Sequence, residues 1–194
     1  MMDAMLAAVV GYLLGSIPFG LVLTRWFGAG DIRAIGSGSI GATNVLRTGR
    51  KDLAAATVLL DAGKGVAAVL VAARLFPDCE GIAAVAAVAG HCFPLWLKFK
   101  GGKGFATAAG VTLALAWPVF LVGAAIWALA IGLSRISSVA SLIAVVAAPV
   151  AALLMGLPVV AATLAAVAAI VVVQHRANIG RLLRGEEPRV GGSK

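Results

Sequence analysis

Charge is the first thing this sequence lacks. Only 12% of its 194 residues are Asp, Glu, Lys or Arg, about half the share in a soluble domain. That excludes a protein wetted on every side. Acidic residues are scarcer still, eight against sixteen Lys and Arg. Such scattered carboxylates do not build a dimetal site or the centre of a magnesium-dependent alcohol phosphotransferase. The two cysteines, Cys79 and Cys92, are too few for a thiolate metal centre. They flank an apolar run, on opposite sides of a bilayer in the topology below, which argues against a disulfide between them. No metal and no cofactor is expected. Long soluble segments, heptads and low-complexity linkers are absent as well.

Apolar sequence is what remains. Hydrophobic residues make up 61% of the chain and mean hydropathy is +1.04. The expected architecture is an all-α integral membrane protein forming a single domain over 1–194. A spanning helix needs roughly 20 apolar residues. The runs read as Met5 to Leu23, Leu53 to Ala73 and Gly81 to Leu97, then Phe105 to Leu133 and Ile136 to Val173. The first run is interrupted by Gly15, Ser16 and Pro18. Its only preceding charge is Asp3, where a cleavable signal carries positive charge, so it reads as a retained span.

The last two runs are resolved by charge. A turn at Trp117-Pro118 splits the fourth run into two short helices, and a turn at Gly156-Leu157-Pro158 makes the fifth a hairpin. Fourteen of the sixteen cations then fall on one side, leaving Arg74 opposite and Lys64 within a span. The positive-inside rule favours this arrangement. It gives seven transmembrane helices, the fourth and fifth short, with the N-terminus outside and the C-terminus cytoplasmic. The formal net charge of +8 is thereby explained by membrane orientation, and no nucleic-acid partner is implied.

Three polar clusters meet on the cytoplasmic side. The first, Gly36 to Arg47, reads GSGSIGATNVLR. Gly36, Gly38 and Gly41 alternate with the hydroxyls of Ser37, Ser39 and Thr43, the amide of Asn44, and Arg47. An arginine can hold a phosphate by two parallel hydrogen bonds. The plainer alternative is a flexible turn-rich loop. The second, Gly90 to Thr107, reads GHCFPLWLKFKGGKGFAT. Glycines let backbone amides crowd a ligand, and a run of such amides is an anion site. Gly101, Gly102 and Gly104 surround Lys103 in this way. Anchoring to anionic headgroups would explain Lys98 and Lys100, but not those glycines.

The third, His175 to Glu187, reads HRANIGRLLRGEE. His175 and Asn178 share a helix face at a spacing of three, and Arg181 continues it. A membrane-exit helix with snorkelling arginines is the alternative. Asp61 and Lys64, also three apart, lie inside a span, where charges are rare. They read most simply as a pair, or more sharply as a phosphate site through Lys64. His91 reads as a hydrogen-bond partner of the lysine loop. Neither Gly-Lys step has the spacing of a nucleotide P-loop, and no G-x-S-x-G elbow occurs. The pattern of His followed four residues later by Asp is missing too, since Leu95 follows His91 and Ile179 follows His175.

Taken together, the three clusters resemble the cytoplasmic motifs of the bacterial acyl-phosphate:glycerol-3-phosphate acyltransferases, the PlsY family. The likeness covers essentially the whole chain in order, spacing and length. One departure is Ser39, where the family usually has Asn. The resemblance implies acyl transfer from acyl phosphate to the 1-hydroxyl of sn-glycerol 3-phosphate, giving lysophosphatidic acid and phosphate. This is the first acylation of bacterial phospholipid synthesis. It implies no coenzyme A, residence in the cytoplasmic (inner) membrane with a cytoplasmic active site, and a functional link to a soluble acyl-phosphate synthase. By motif position, Ser37, Arg47, Lys103, His175 and Asn178 are the implied catalytic residues. Gly36, Gly38, Gly41, Thr43, Asn44, Gly101, Gly102, Gly104 and Lys64 are the implied phosphate binders. A transporter of an anionic metabolite is the competing class, since broken helices suit transporters. Transporters, however, place their binding groups near the midplane.

Overall fold

The protein is described here by a computed structural model, which covers residues 1–191. Among the described residues there are helices and turns and no strand. A polypeptide in hydrocarbon must satisfy its own backbone groups, and helices do so within one segment.

Helix α1 (Met2–Gly15) is followed by a break at residues 16–18 and then α2 (Phe19–Trp26). A polar loop holds the four-residue α3 (Ala42–Val45). The 25-residue α4 (Lys51–Leu75) and the 13-residue α5 (Glu80–Cys92) follow. After the lysine loop come α6 (Phe105–Leu115), α7 (Trp117–Ser134), α8 (Ser137–Leu154), α9 (Pro158–Gln174) and α10 (Arg176–Leu183). Five segments are long and apolar enough to span a bilayer: Met2–Trp26, α4, Glu80–Leu97, α7 and α8. A sixth, α9, bends by 61° into α10.

The expected pair of short central helices is corrected. Only α6 is short, 11 residues, or about 16 Å at 1.5 Å per residue. Helix α7 runs 18 residues. The break falls at Ala116, whose φ of −158° and ψ of 89° leave the helical region. Pro118 sits in the first turn of α7, where its missing N–H has no intrahelical partner to lose. The stack of Phe105 on Trp127, with ring centroids 6.4 Å apart, shows α7 returning alongside α6. The hairpin turn expected at residues 156–158 is present, with Gly156 at φ +72°.

Small residues set the helix spacing. A Cβ at Gly15 would lie 2.0 Å from the Ala87 carbonyl oxygen, and one at Gly90 would lie 2.3 Å from that of Tyr12. These contacts clamp α1 to α5. Gly110 meets the Ala62 carbonyl oxygen at 2.0 Å in the same way, clamping α4 to α6. Without a hydrophobic drive between helices in lipid, such close backbone approach is what holds the bundle. The main core lies where α4, α5, α6 and α9 meet, around Val88, Val111, Val167 and Val171. Cys79 and Cys92 stand at opposite ends of α5.

Overpacking a tight site costs about 1–3 kcal/mol. Gly90→Ala is therefore expected to lower the melting temperature in detergent, while Gly123→Ala and Gly132→Ala, where nothing lies within 4 Å of the added carbon, leave it unchanged. Differential scanning fluorimetry on the three variants makes the comparison.

Candidate active site

At the end of the bundle where α2 leaves, α5 ends and α9 bends, the three polar clusters enclose a groove of about 1020 Å³. Its walls include Ser37, Gly38 and Ser39 from the first loop, the lysine loop from Trp96 through Lys103, and Asn178 and Arg181 from α10. Asp31, Arg33, Phe93 and Gln174 complete it.

Lys103 stands out by its surroundings. It is partly buried and has no hydrogen bond or ion pair among the described residues. Burial lowers its pKa from the ordinary lysine value, Glu187 works to raise it, and Arg181 and Arg47 lower it further. A lysine held among arginines without a direct counter-ion is poised for an anion. Arg47 does not line the groove, yet its charge acts on Lys103, and it has no ion pair among the described residues. Gly36 makes room for it: at φ +55°, a Cβ there would lie 1.8 Å from Arg47 Nη1.

Helix α9 stops at His175, which is buried to 3% exposure. Its Nδ1 lies 2.8 Å from the Val171 carbonyl oxygen. A carbonyl can only accept, so Nδ1 carries the proton and Nε2 is the free acceptor. His175 lies within electrostatic reach of Lys103 and Glu187. One turn on, Asn178 donates from Nδ2 to Glu187 Oε1, while its Oδ1 is buried without a partner.

Glu187 is the residue to which sequence reasoning assigned no role. It accepts from Ser138 Oγ at 2.7 Å, from Asn178, and from Arg181 Nε at 2.6 Å. It pins α10 and the tail to the start of α8, and Val190 N–H donates to the Arg135 carbonyl 2.6 Å away. Burial works to raise its pKa, but the three hydrogen bonds outweigh it and hold the carboxyl below the usual value.

Several expected phosphate ligands serve the loops instead. Lys64 is buried, paired with Asp61 and hydrogen-bonded to the Ile17 carbonyl and His91. Asn44 gives both amide hydrogens to the carbonyls of Ile32 (2.6 Å) and Ser39 (2.9 Å), tying the first loop together. Gly41 and Thr43 do not reach the groove. The Gly101 and Gly102 amides donate to the Cys92 and His91 carbonyls at 3.1 and 3.0 Å, so these two N–H groups close the loop onto α5. Gly104, at φ +85°, begins α6 against Cys92 Sγ. Ser39 Oγ accepts weakly from Gly41 N–H at 3.4 Å.

Residues 5–185 match the family model described as glycerol-3-phosphate acyltransferase. The chain belongs to the glycerol-3-phosphate acyltransferase family. It is 57% identical over 190 residues to the glycerol-3-phosphate acyltransferase of Erythrobacter litoralis, covering 98% of this chain and 96% of that protein. With that of Maricaulis maris it shares 58% over 192 residues, covering 98% and 89%. It also superimposes on the crystal structure of PlsY, an integral membrane glycerol 3-phosphate acyltransferase, in its glycerol 3-phosphate form. There the TM-score is 0.91 at 37% identity, over 97% of this chain and 96% of that one. The lysophosphatidic acid form of that acyltransferase gives a TM-score of 0.89 at 36% identity, over 97% and 95%.

A carboxyl whose folded pKa is depressed stabilises the fold above its unfolded pKa and loses that contribution as pH falls through the folded value. The stability gap between wild type and Glu187→Gln should therefore be constant from pH 7 down to about 4.3, the ordinary Glu value, and close below it. Thermal unfolding of both proteins across that range tests this.

Proposed function

We propose that this protein transfers a fatty acyl group from acyl phosphate to the 1-hydroxyl of sn-glycerol 3-phosphate, releasing lysophosphatidic acid and phosphate. The observation that carries the reading is Lys103 in the groove with Arg47 close behind it, neither with a counter-ion among the described residues, beside His175 and Asn178. Both reactants bear phosphate, and bringing two dianions together needs fixed positive charge. Acyl phosphate is already an activated mixed anhydride, so a protein nucleophile is not required.

In this reading Lys103 holds the acceptor phosphate while Arg47 and Ser37 hold that of the donor. The 1-hydroxyl attacks the acyl carbon, a tetrahedral intermediate collapses, and phosphate leaves with the C–O electrons. Asn178 and His175 steady the charge that builds during attack, a kind of donor whose loss typically costs about 100–1000-fold in rate. The hydroxyl proton passes to a substrate phosphate, whose second pKa near 6 suits the task. Holding both substrates in line supplies further rate.

The membrane arrangement that fits this reading has seven crossings, of which α6 is partial. The N-terminus lies outside, and the groove and C-terminus face the cytoplasm of a bacterial inner membrane. The donor is then supplied by a soluble acyl-phosphate synthase, and the reaction is the first acylation of phospholipid assembly.

Purified protein given palmitoyl phosphate and glycerol 3-phosphate, without metal or coenzyme A, is expected to yield lysophosphatidic acid, and palmitoyl-coenzyme A in place of the phosphate to yield none. Product from the thioester alone would overturn the donor assignment. Losing a hydrogen bond to a charged group costs about 1.5–3 kcal/mol, so Lys103→Ala should raise KM for glycerol 3-phosphate by about 10–100-fold. An unchanged KM would remove Lys103 from that role.

A further inference from the structure

Outside the groove, one cluster of ionisable side chains lies deep in the bundle: Asp61, Lys64 and His91, each between 2% and 4% exposed. Lys64 Nζ reaches Asp61 Oδ1 at 2.7 Å, the Ile17 carbonyl oxygen at 2.7 Å and His91 Nδ1 at 2.9 Å. The ammonium is hydrogen-bonded to the Ile17 carbonyl and His91 Nδ1, and Asp61 lies against it as the counter-ion. Because Nδ1 accepts from lysine, the His91 ring is neutral with its proton on Nε2.

That Nε2 edge faces the lysine loop. A Cβ built on Gly102 would lie 2.0 Å from His91 Nε2, and its three nearest atoms all belong to the His91 ring. The main chain reinforces the contact, since Gly102 N–H donates to the His91 carbonyl. Lys103 is the next residue. The reaction described above uses none of the three buried side chains, yet burying a charged pair is costly unless geometry repays it.

We propose that Asp61, Lys64 and His91 are positioning residues: they lock the His91 ring as a stop on which Gly102 seats, and so fix where Lys103 stands in the groove. Lys64 does this from α4, Asp61 holds Lys64, and the Ile17 carbonyl ties the same ammonium to the break that launches α2 and the first loop. The inference rests on Lys103 binding the acceptor phosphate.

The test is a double-mutant cycle read in KM for glycerol 3-phosphate. Gly102→Ala pushes a methyl into the ring and is expected to raise KM about tenfold, with a smaller change in kcat. His91→Ala removes the obstruction, so the double variant His91→Ala/Gly102→Ala is expected to show a lower KM than Gly102→Ala alone. A KM in the double variant equal to or above that of Gly102→Ala overturns the proposal, because a cluster that only stabilises the bundle gives additive losses. Should Gly102→Ala fail to accumulate, His91→Asn decides. It keeps an acceptor for Lys64 but withdraws the ring, and is expected to raise KM about threefold with the melting temperature held. An unchanged KM overturns the proposal there too. Failure of the acceptor-phosphate reading is separately visible as an unchanged KM in Lys103→Ala.

Discussion

A broken helix inside a lipid-embedded bundle leaves carbonyls that hydrocarbon cannot satisfy, and here that constraint organises the site. The break at residues 16–18 is answered by side chains from elsewhere. Lys64 Nζ takes the Ile17 carbonyl and Trp96 Nε1 takes that of Ser16 at 3.1 Å. In return Tyr12 donates its hydroxyl to the Phe93 carbonyl at 2.7 Å. These bonds join the end of α1, the middle of α4 and the start of the lysine loop. The two loops that carry Arg47 and Lys103 therefore grow from one hydrogen-bonded base.

Charge is rationed around that base. Asp31 is engaged by Arg25 and Arg33, with contacts of 2.9 and 2.6 Å, and Glu187 by Arg181. Each carboxylate near the groove is thus held by its own arginine or arginines, and Lys103 and Arg47 stay uncompensated. A carboxylate free to swing onto Lys103 would compete with a phosphate for the same hydrogens. The hydrogen bonds to Asp31 and Glu187 prevent that competition as effectively as they brace the loops.

Much of this was legible beforehand, and the failures have physical reasons. Apolar runs located the helices because hydrocarbon thickness imposes length. Ser37, Gly38, Lys103 and Asn178 were recognisable from their clustering, and all line the groove. Glycine is ambiguous, because an empty Cβ position looks the same whether a ligand or a His91 ring fills it. At Gly102 the ring takes that space, and at Gly101 the carbonyls of His91 and Cys92 take it. Asn44 and Lys64 were misassigned for a similar reason: a polar side chain near a motif does not reveal that its donors are already spent on main-chain carbonyls. Glu187 was overlooked because a carboxylate at the end of a basic tail resembles a solvated one. Only the fold back onto Ser138 gives it a purpose. The split expected at Trp117-Pro118 falls one residue earlier, at Ala116, and α7 is longer than expected because Pro118 lies inside its first turn.

The polar groups also have a lopsided distribution along the bundle. The end opposite the groove is made of tight connections at residues 76–79, 116 and 155–157, and its charges are confined to Asp3, Arg74, Asp78 and Glu80. In the orientation proposed above, the segments carried across the bilayer during biogenesis are these short connections with few charges. Each hairpin could then enter without dragging a polar loop through hydrocarbon.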